Sequence, residues 1–153
     1  MRYKGTLIAV SDMERSKKFY QELLGMRVAA DFGANVQLDN GLFLQTKDTW
    51  ENFIENKKIK LGHNSGELYF ETQDMDAFIK LLEKFKIEYV HQLKEHSWGQ
   101  RAVRFYDPDR NIIEVAEDLV RVMKRFADSG MSVEEVAVRM DVSVSYIKDN
   151  LIT

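Results

Sequence analysis

Two hydrophobic periodicities alternate along the chain, and they recur in the same order twice. Tyr3 to Val10 reads as a strand, after which Met13, Phe19, Tyr20, Leu23 and Leu24 fall at helical spacing. Ser11 is placed to cap that helix and Gly25 to end it. Three short strands follow, Arg27 to Asp31, Asn35 to Leu38 and Leu42 to Thr46, separated by Phe32-Gly33-Ala34 and Asp39-Asn40-Gly41. The Asn-Gly pair marks a tight turn that needs positive φ at both residues. Asp48 to Ile59, with Trp50, Phe53 and Ile54 on one side, predicts a connecting amphipathic helix that stops near Gly62.

The order then repeats. Gly66 to Thr72 reads as a strand, Asp74 to Lys86 as a helix with Met75, Phe78, Ile79, Leu82 and Phe85 inward, and Glu88 to His91, Arg101 to Tyr106 and Asn111 to Ala116 as strands. Asp12-Met13 and Asp74-Met75 open the two helices at equivalent points, the mark of a duplicated unit. From Asp118 the spacing turns helical again through Leu119, Val122, Met123 and Phe126. Ser132 and Glu135 form a capping-box pattern, and Ser143 caps a further short helix. These last two helices have the outline of a helix-turn-helix. Its second helix, however, offers only Lys148 beside Asp149, which does not suit a phosphate backbone.

One residue breaks the pattern. In RFYDPDRNIIEV, Glu114 shares a strand face with Ile112 and Ala116, while Ile113 and Val115 point to the other layer. A carboxylate costs several kcal/mol to bury unpaired, so Glu114 calls for a metal, a cationic partner or water. Glu67 shares a face with Tyr69 and Glu71, and Gln45 shares one with Phe43, each opposite the face expected to carry helices.

Composition narrows the partners. The 22 basic and 25 acidic residues give a net charge of −3 and are scattered, so no footprint for nucleic acid or anionic membrane stands out. Cysteine is absent, which removes thiolate chemistry and disulfides and fits a cytoplasmic protein. No run approaches a membrane span, and the N-terminus has no signal-peptide pattern.

The duplicated strand-helix-strand-strand-strand unit, with VSDMERSKKFYQELLG in the first half and FYDPDRNIIEV closing the second, resembles the vicinal oxygen chelate superfamily. That group includes glyoxalase I, extradiol dioxygenases, fosfomycin resistance enzymes and bleomycin-binding proteins. The resemblance implies an α+β fold: two βαβββ modules, about 1–60 and 61–117, curling a shared sheet around a cavity, with a helical C-terminal extension over 118–153. It implies metal ligands at four positions, which here carry Gly5, Gln45, Glu67 and Glu114. Three of these can coordinate a divalent ion such as Ni²⁺, Mn²⁺, Mg²⁺ or Zn²⁺. The missing histidines disfavour the dioxygenase branch.

In the loop HSWGQRAVRF, Trp98 and Arg101, with Tyr69 from the neighbouring strand, are candidate substrate contacts; the alternative is that Trp98 packs and Arg101 pairs with a nearby acid. Two functional readings stay open. One is a glyoxalase-like lyase or isomerase in which Glu114 or Glu67 moves a proton beside the metal. The other is a metal-free small-molecule or antibiotic-binding protein, with Glu67, Glu71, Glu114, Tyr69 and Trp98 lining the ligand site. A ligand-responsive regulator is a third, weaker reading. A homodimer is expected from the resemblance and from the apolar stripe of the extension.

Overall fold

A computed structural model describes residues 1–151; residues 152 and 153, the end of the expected extension, lie outside it. The chain divides into two compact units, one of Met1–Gly66 with Tyr106–Asn111, the other of Glu67–Phe105 with the chain from Ile112 onward.

The first unit runs β1 (Thr6–Val10), α1 (Met13–Glu22), β2 (Val28–Asp31), β3 (Asn35–Leu38), β4 (Leu42–Thr46) and α2 (Lys47–Phe53). Its sheet has the order β1-β4-β3-β2, with β1 parallel to β4 and the other pairs antiparallel. Val10, Tyr20, Leu23, Val36, Leu38 and Leu44 form the buried core. The second unit runs β5 (Glu67–Thr72), α3 (Met75–Leu82), β6 (Tyr89–Glu95), β7 (Arg101–Tyr106) and β8 (Ile112–Glu117), with sheet order β5-β8-β7-β6. The repeat in the hydrophobic pattern is thus a repeat in topology. Met75, Leu82, Val103, Phe105, Ile113 and Val115 are buried in this unit.

Three helices complete the second unit: α4 (Leu119–Asp128), α5 (Val133–Met140) and α6 (Val144–Leu151). They share a small core of Val122, Met123, Val136, Ala137, Met140 and Ile147, each almost fully buried. The Ser132–Glu135 capping box is formed, and Ser143 accepts from the backbone N–H of Tyr146. Among the described residues no helix is long and apolar enough to cross a membrane.

Several boundaries move, each for a local reason. Strand β1 begins at Thr6 rather than Tyr3 because its pairing with β4 starts at Thr6 beside Leu42. Asp12, not Ser11, caps α1 by accepting from the backbone N–H of Arg15. Ser11 is occupied elsewhere, donating its hydroxyl and its backbone N–H to Asp109. Helix α2 stops at Phe53, short of the predicted Ile59, where Glu55 and Asn56 take positive φ. Helix α3 likewise ends at Leu82, before Lys86. Strand β6 extends to Glu95, well beyond His91, because backbone pairing of Lys94 with Ala102 and of Glu95 with Arg101 continues through a polar run. Asn40 and Gly41 both have positive φ, as the turn requires.

The turn between β7 and β8 is held in the first unit by buried carboxylates. Asp107 accepts from the Tyr20 hydroxyl at 2.7 Å, from the Asn111 side chain at 2.8 Å, and from the backbone N–H groups of Asp109 and Asn111. Burial, with Asp107 alongside, holds the Tyr20 phenol proton well above its usual range. Removing the carboxylate would orphan these donors, each costing roughly 1–3 kcal/mol when left buried. Asp107→Ala is therefore expected to lose about 3 kcal/mol of stability and Tyr20→Phe only about 1. Urea unfolding of the two variants checks this, and equal losses would mean that the turn is held by something other than Asp107.

Candidate functional site

The second sheet has a helix face and an open face, and the strand register sorts the side chains between them. Parallel pairing sets Glu67 beside Ile112, Tyr69 beside Glu114 and Glu71 beside Ala116. These residues share one face, while Leu68, Phe70, Ile113 and Val115 share the other. On β7 the same alternation separates Ala102 and Arg104 from Arg101, Val103 and Phe105, and Phe105 packs its ring on Phe78 of α3.

Arg104 is the centre of the open face. Its Nε donates to Glu67 at 2.8 Å, one Nη donates to Glu114 and, at 3.4 Å, to Glu67, and the other Nη lies 3.2 Å from Nε2 of His91. The Glu114 side chain is only 6% exposed and Arg104 24%. Burial pushes the Glu114 carboxyl above its ordinary value, reinforced by the hydrogen bond to Glu67. Glu67 moves the opposite way, held low chiefly by its hydrogen bond from Arg104. The two carboxyls on one cation thus differ in proton affinity, Glu114 the higher and Glu67 the lower.

A second chain of contacts runs along the same face. Gln100 accepts from the Trp98 indole at 3.0 Å and donates to the Tyr69 hydroxyl at 3.3 Å and to the Glu117 carbonyl at 2.7 Å. The Tyr69 hydroxyl donates to Glu71, and burial with this hydrogen bond pushes its pKa up to about 12. Trp98 stacks on His96 with ring centroids 4.3 Å apart, and burial, then the nearby Arg104 charge, lowers the His96 pKa. Tyr69 is 51% exposed and Trp98 37%.

The expected site residues therefore fall into three groups. Glu67, Glu114 and Tyr69 come together on the open face with Trp98 at the end of the Gln100 bridge. Arg101 turns the other way, giving Nε and one Nη to Glu117 at 2.8 and 2.6 Å and its other Nη to Asp76. Gln45 belongs to the first unit, 3% exposed, its oxygen taken by Asn35 and its nitrogen by Thr49. Gly5, in that unit too, has no room for a side chain: a Cβ would lie 1.9 Å from the Gly41 carbonyl oxygen.

That arrangement does not fit a resident divalent ion. The first unit offers a glycine that cannot become a ligand and an amide already bonded at both ends. The second offers two carboxylates already bonded to one guanidinium. No group of three or more His, Asp or Glu placed to hold a metal occurs among the described residues. Sequence reading missed Arg104, and gave no site role to Gln100, which it placed beside Trp98 and Arg101, or to His91, which it read as a surface residue ending a strand. Arg104 had the same signal as Glu114, a lone charge with the parity of the open face.

The glyoxalase-like domain family model matches residues 3–120. The chain belongs to this family. Within the vicinal oxygen chelate superfamily, this glyoxalase-like chain is similar to a protein of unknown function from Agrobacterium tumefaciens str. C58, with 35% identity, 77% of this chain and 94% of that one covered, and a TM-score of 0.70. It shares the fold of a lactoylglutathione lyase from Agrobacterium tumefaciens (21% identity, 76% and 92% covered, TM-score 0.60). It shares it also with a glyoxalase-related enzyme from Fulvimarina pelagi (17%, 75% and 88%, TM-score 0.64). No curated protein sequence matches. The family match ends near the start of α4, so α5 and α6 lie beyond it.

The raised Glu114 pKa fixes a pH dependence for the glyoxalase-like fold. With the folded pKa above the unfolded one, the stabilisation tied to protonated Glu114 is complete below the ordinary carboxylate value of about 4.3 and is lost as pH rises through the folded value. Glu114→Gln, a permanently neutral mimic, should match the wild type near pH ~4 and gain on it towards pH ~7. Thermal midpoints across that range test this; parallel curves would show that Glu114 ionises normally.

Proposed function

We propose that this glyoxalase-like protein binds a flat, basic small molecule on the open face of its second sheet, without a metal. The observation that carries the reading is the guanidinium of Arg104 between Glu67 and Glu114. It supplies the positive charge that the two carboxylates require, and its Nε and both Nη groups already face Glu67, Glu114 and His91. Three carboxylates, Glu67, Glu71 and Glu114, stand against that one guanidinium, so the face retains negative character and favours a cation. Tyr69 and Trp98 present ring surface beside it, and a cation over such rings gains about 0.5–2 kcal/mol. Antibiotic-binding, resistance-type action is one biological use of such a site.

A metal-dependent lyase or isomerase is the second reading, supported by the fold shared with a lactoylglutathione lyase and by the Glu67–Glu114 pair. Glu114, with its raised proton affinity, is the member suited to give or take a proton. That reading needs Arg104 to release both carboxylates before an ion could use them.

The probe that separates the two is proflavine, a planar cation, with fluorescein as a planar anion. Fluorescence titration should give saturable proflavine binding and none for fluorescein. Trp98→Ala should weaken proflavine about 10-fold and Glu71→Gln about 5-fold, as expected for interactions of ~1–1.4 kcal/mol. Stoichiometric uptake of Ni²⁺ or Mn²⁺ by the wild type, with lactoylglutathione lyase-type turnover, would replace the proposal with the second reading.

A further inference from the structure

The turn His96 to Gly99 carries Trp98, and the C-terminal helices grip it at three points. Phe126 of α4 lies against Gly99 so closely that a Cβ there would be 2.2 Å from the ring, and Gly99 has φ +89°. Arg125 of α4 donates to the Gly99 carbonyl at 2.6 Å and also bonds Glu117 at 3.2 Å. Arg139 of α5 donates to the Ser97 carbonyl and, at 3.0 Å, to Glu95. Both guanidinium groups lie over the Phe126 ring, 5.0 and 5.4 Å from its centroid. The turn closes itself through the backbone bonds His96 N–H to Gln100 and Gly99 N–H to His96.

We infer that the C-terminal helices are a positioning device for Trp98: Phe126, Arg125 and Arg139 fix the turn that sets the indole on its bridge to Gln100 and Tyr69, and thereby set ligand affinity on the open face. The affinity part rests on the ligand reading above; the positioning part does not. Two of the three grips are made to backbone carbonyls and the third to a glycine, so the clamp constrains the path of the turn itself, and Trp98 follows. The indole has its own polar contact at Gln100 and its own stack on His96, so a turn displaced by a fraction of an ångström breaks both alignments together.

The experiment uses the full chain with Trp50→Phe, which leaves Trp98 as its sole tryptophan. A protonated imidazole stacked on an indole quenches its emission, so Trp98 fluorescence followed through the His96 titration reports the stack directly. Arg139→Ala and Phe126→Leu are each compared with this parent, with circular dichroism and the thermal midpoint as fold controls. Arg139→Lys serves as a conservative variant that keeps the charge but cannot span Ser97 and Glu95.

The expected result is loss of at least half of the pH-dependent quenching and a 3- to 10-fold weaker proflavine affinity in Arg139→Ala, with helical content retained and partial recovery in Arg139→Lys. Unchanged quenching in folded Arg139→Ala and Phe126→Leu would overturn the positioning role. Altered quenching with unchanged proflavine affinity would overturn the link from the helices to the ligand. Absence of proflavine binding in the wild type would sink the ligand reading and with it the affinity claim, while the quenching alone would still decide whether the helices set Trp98.

Discussion

The open face of the second sheet depends on one cation. Glu67 and Glu114 come from adjacent parallel strands whose register places them two residues apart on the same side, and Arg104 on the next strand meets both. Without it, two carboxylates would stand close together with little water, and one would have to take up a proton. With it, a positive charge sits between the two, and Glu114 can be nearly buried. The sheet order β5-β8-β7 is what brings the three groups within reach, so the electrostatics are a direct product of topology.

The two repeats share a topology but not an interior chemistry. In the first unit β1 and β4 carry no carboxylate; Gly5 precedes β1, and Gln45 stands on β4. Gly5 lets the chain pass against Gly41 with no side chain between them, and Gln45 is absorbed into an amide and hydroxyl network with Asn35 and Thr49. The first unit instead concentrates its carboxylates at the turn between β7 and β8, where Asp107 and Asp109 bind Tyr20, Ser11 and Arg15. These are satisfied acceptors in a tight turn, which is the structural role the Asp-Pro-Asp pattern suggests.

Much of this was legible in the sequence where the signal is periodic. The two βαβββ orders, the capped helices, the C-terminal helices and the common face of Glu67, Tyr69 and Glu114 all follow from spacings of 2 or 3.6 residues. What escaped is set by register across strands or by competition between neighbours. Arg104 can be recognised as the partner of Glu67 and Glu114 only once β7 is known to lie beside β8. Arg101, three residues earlier, carries the same charge, but the alternation turns it to Glu117 and Asp76 on the helix side. Ser11 looked like a cap and lost that role because Asp109, nearly a hundred residues away, accepts its hydroxyl. The outer half of β6 was invisible because Gln92, Lys94 and Glu95 have no apolar alternation; backbone pairing alone extends the strand.

The identity of the cation also bears on what the face can do. A bound metal ion keeps coordination positions open to a substrate oxygen and can leave or exchange. A guanidinium is fixed to the chain, charged at every accessible pH, and presents its donors in one plane. In Arg104 that plane is already turned to Glu67, Glu114 and His91, so little polarising capacity is left for a ligand carbonyl. On the proposed reading, recognition on this face falls to the groups that Arg104 leaves in excess, the carboxylate of Glu71 and the rings of Tyr69 and Trp98. Such groups hold a ligand by charge and stacking, and they have no electrophile with which to activate it. On that physical ground, binding is the more economical reading of the site, and proton transfer by Glu114 would require this guanidinium to move first.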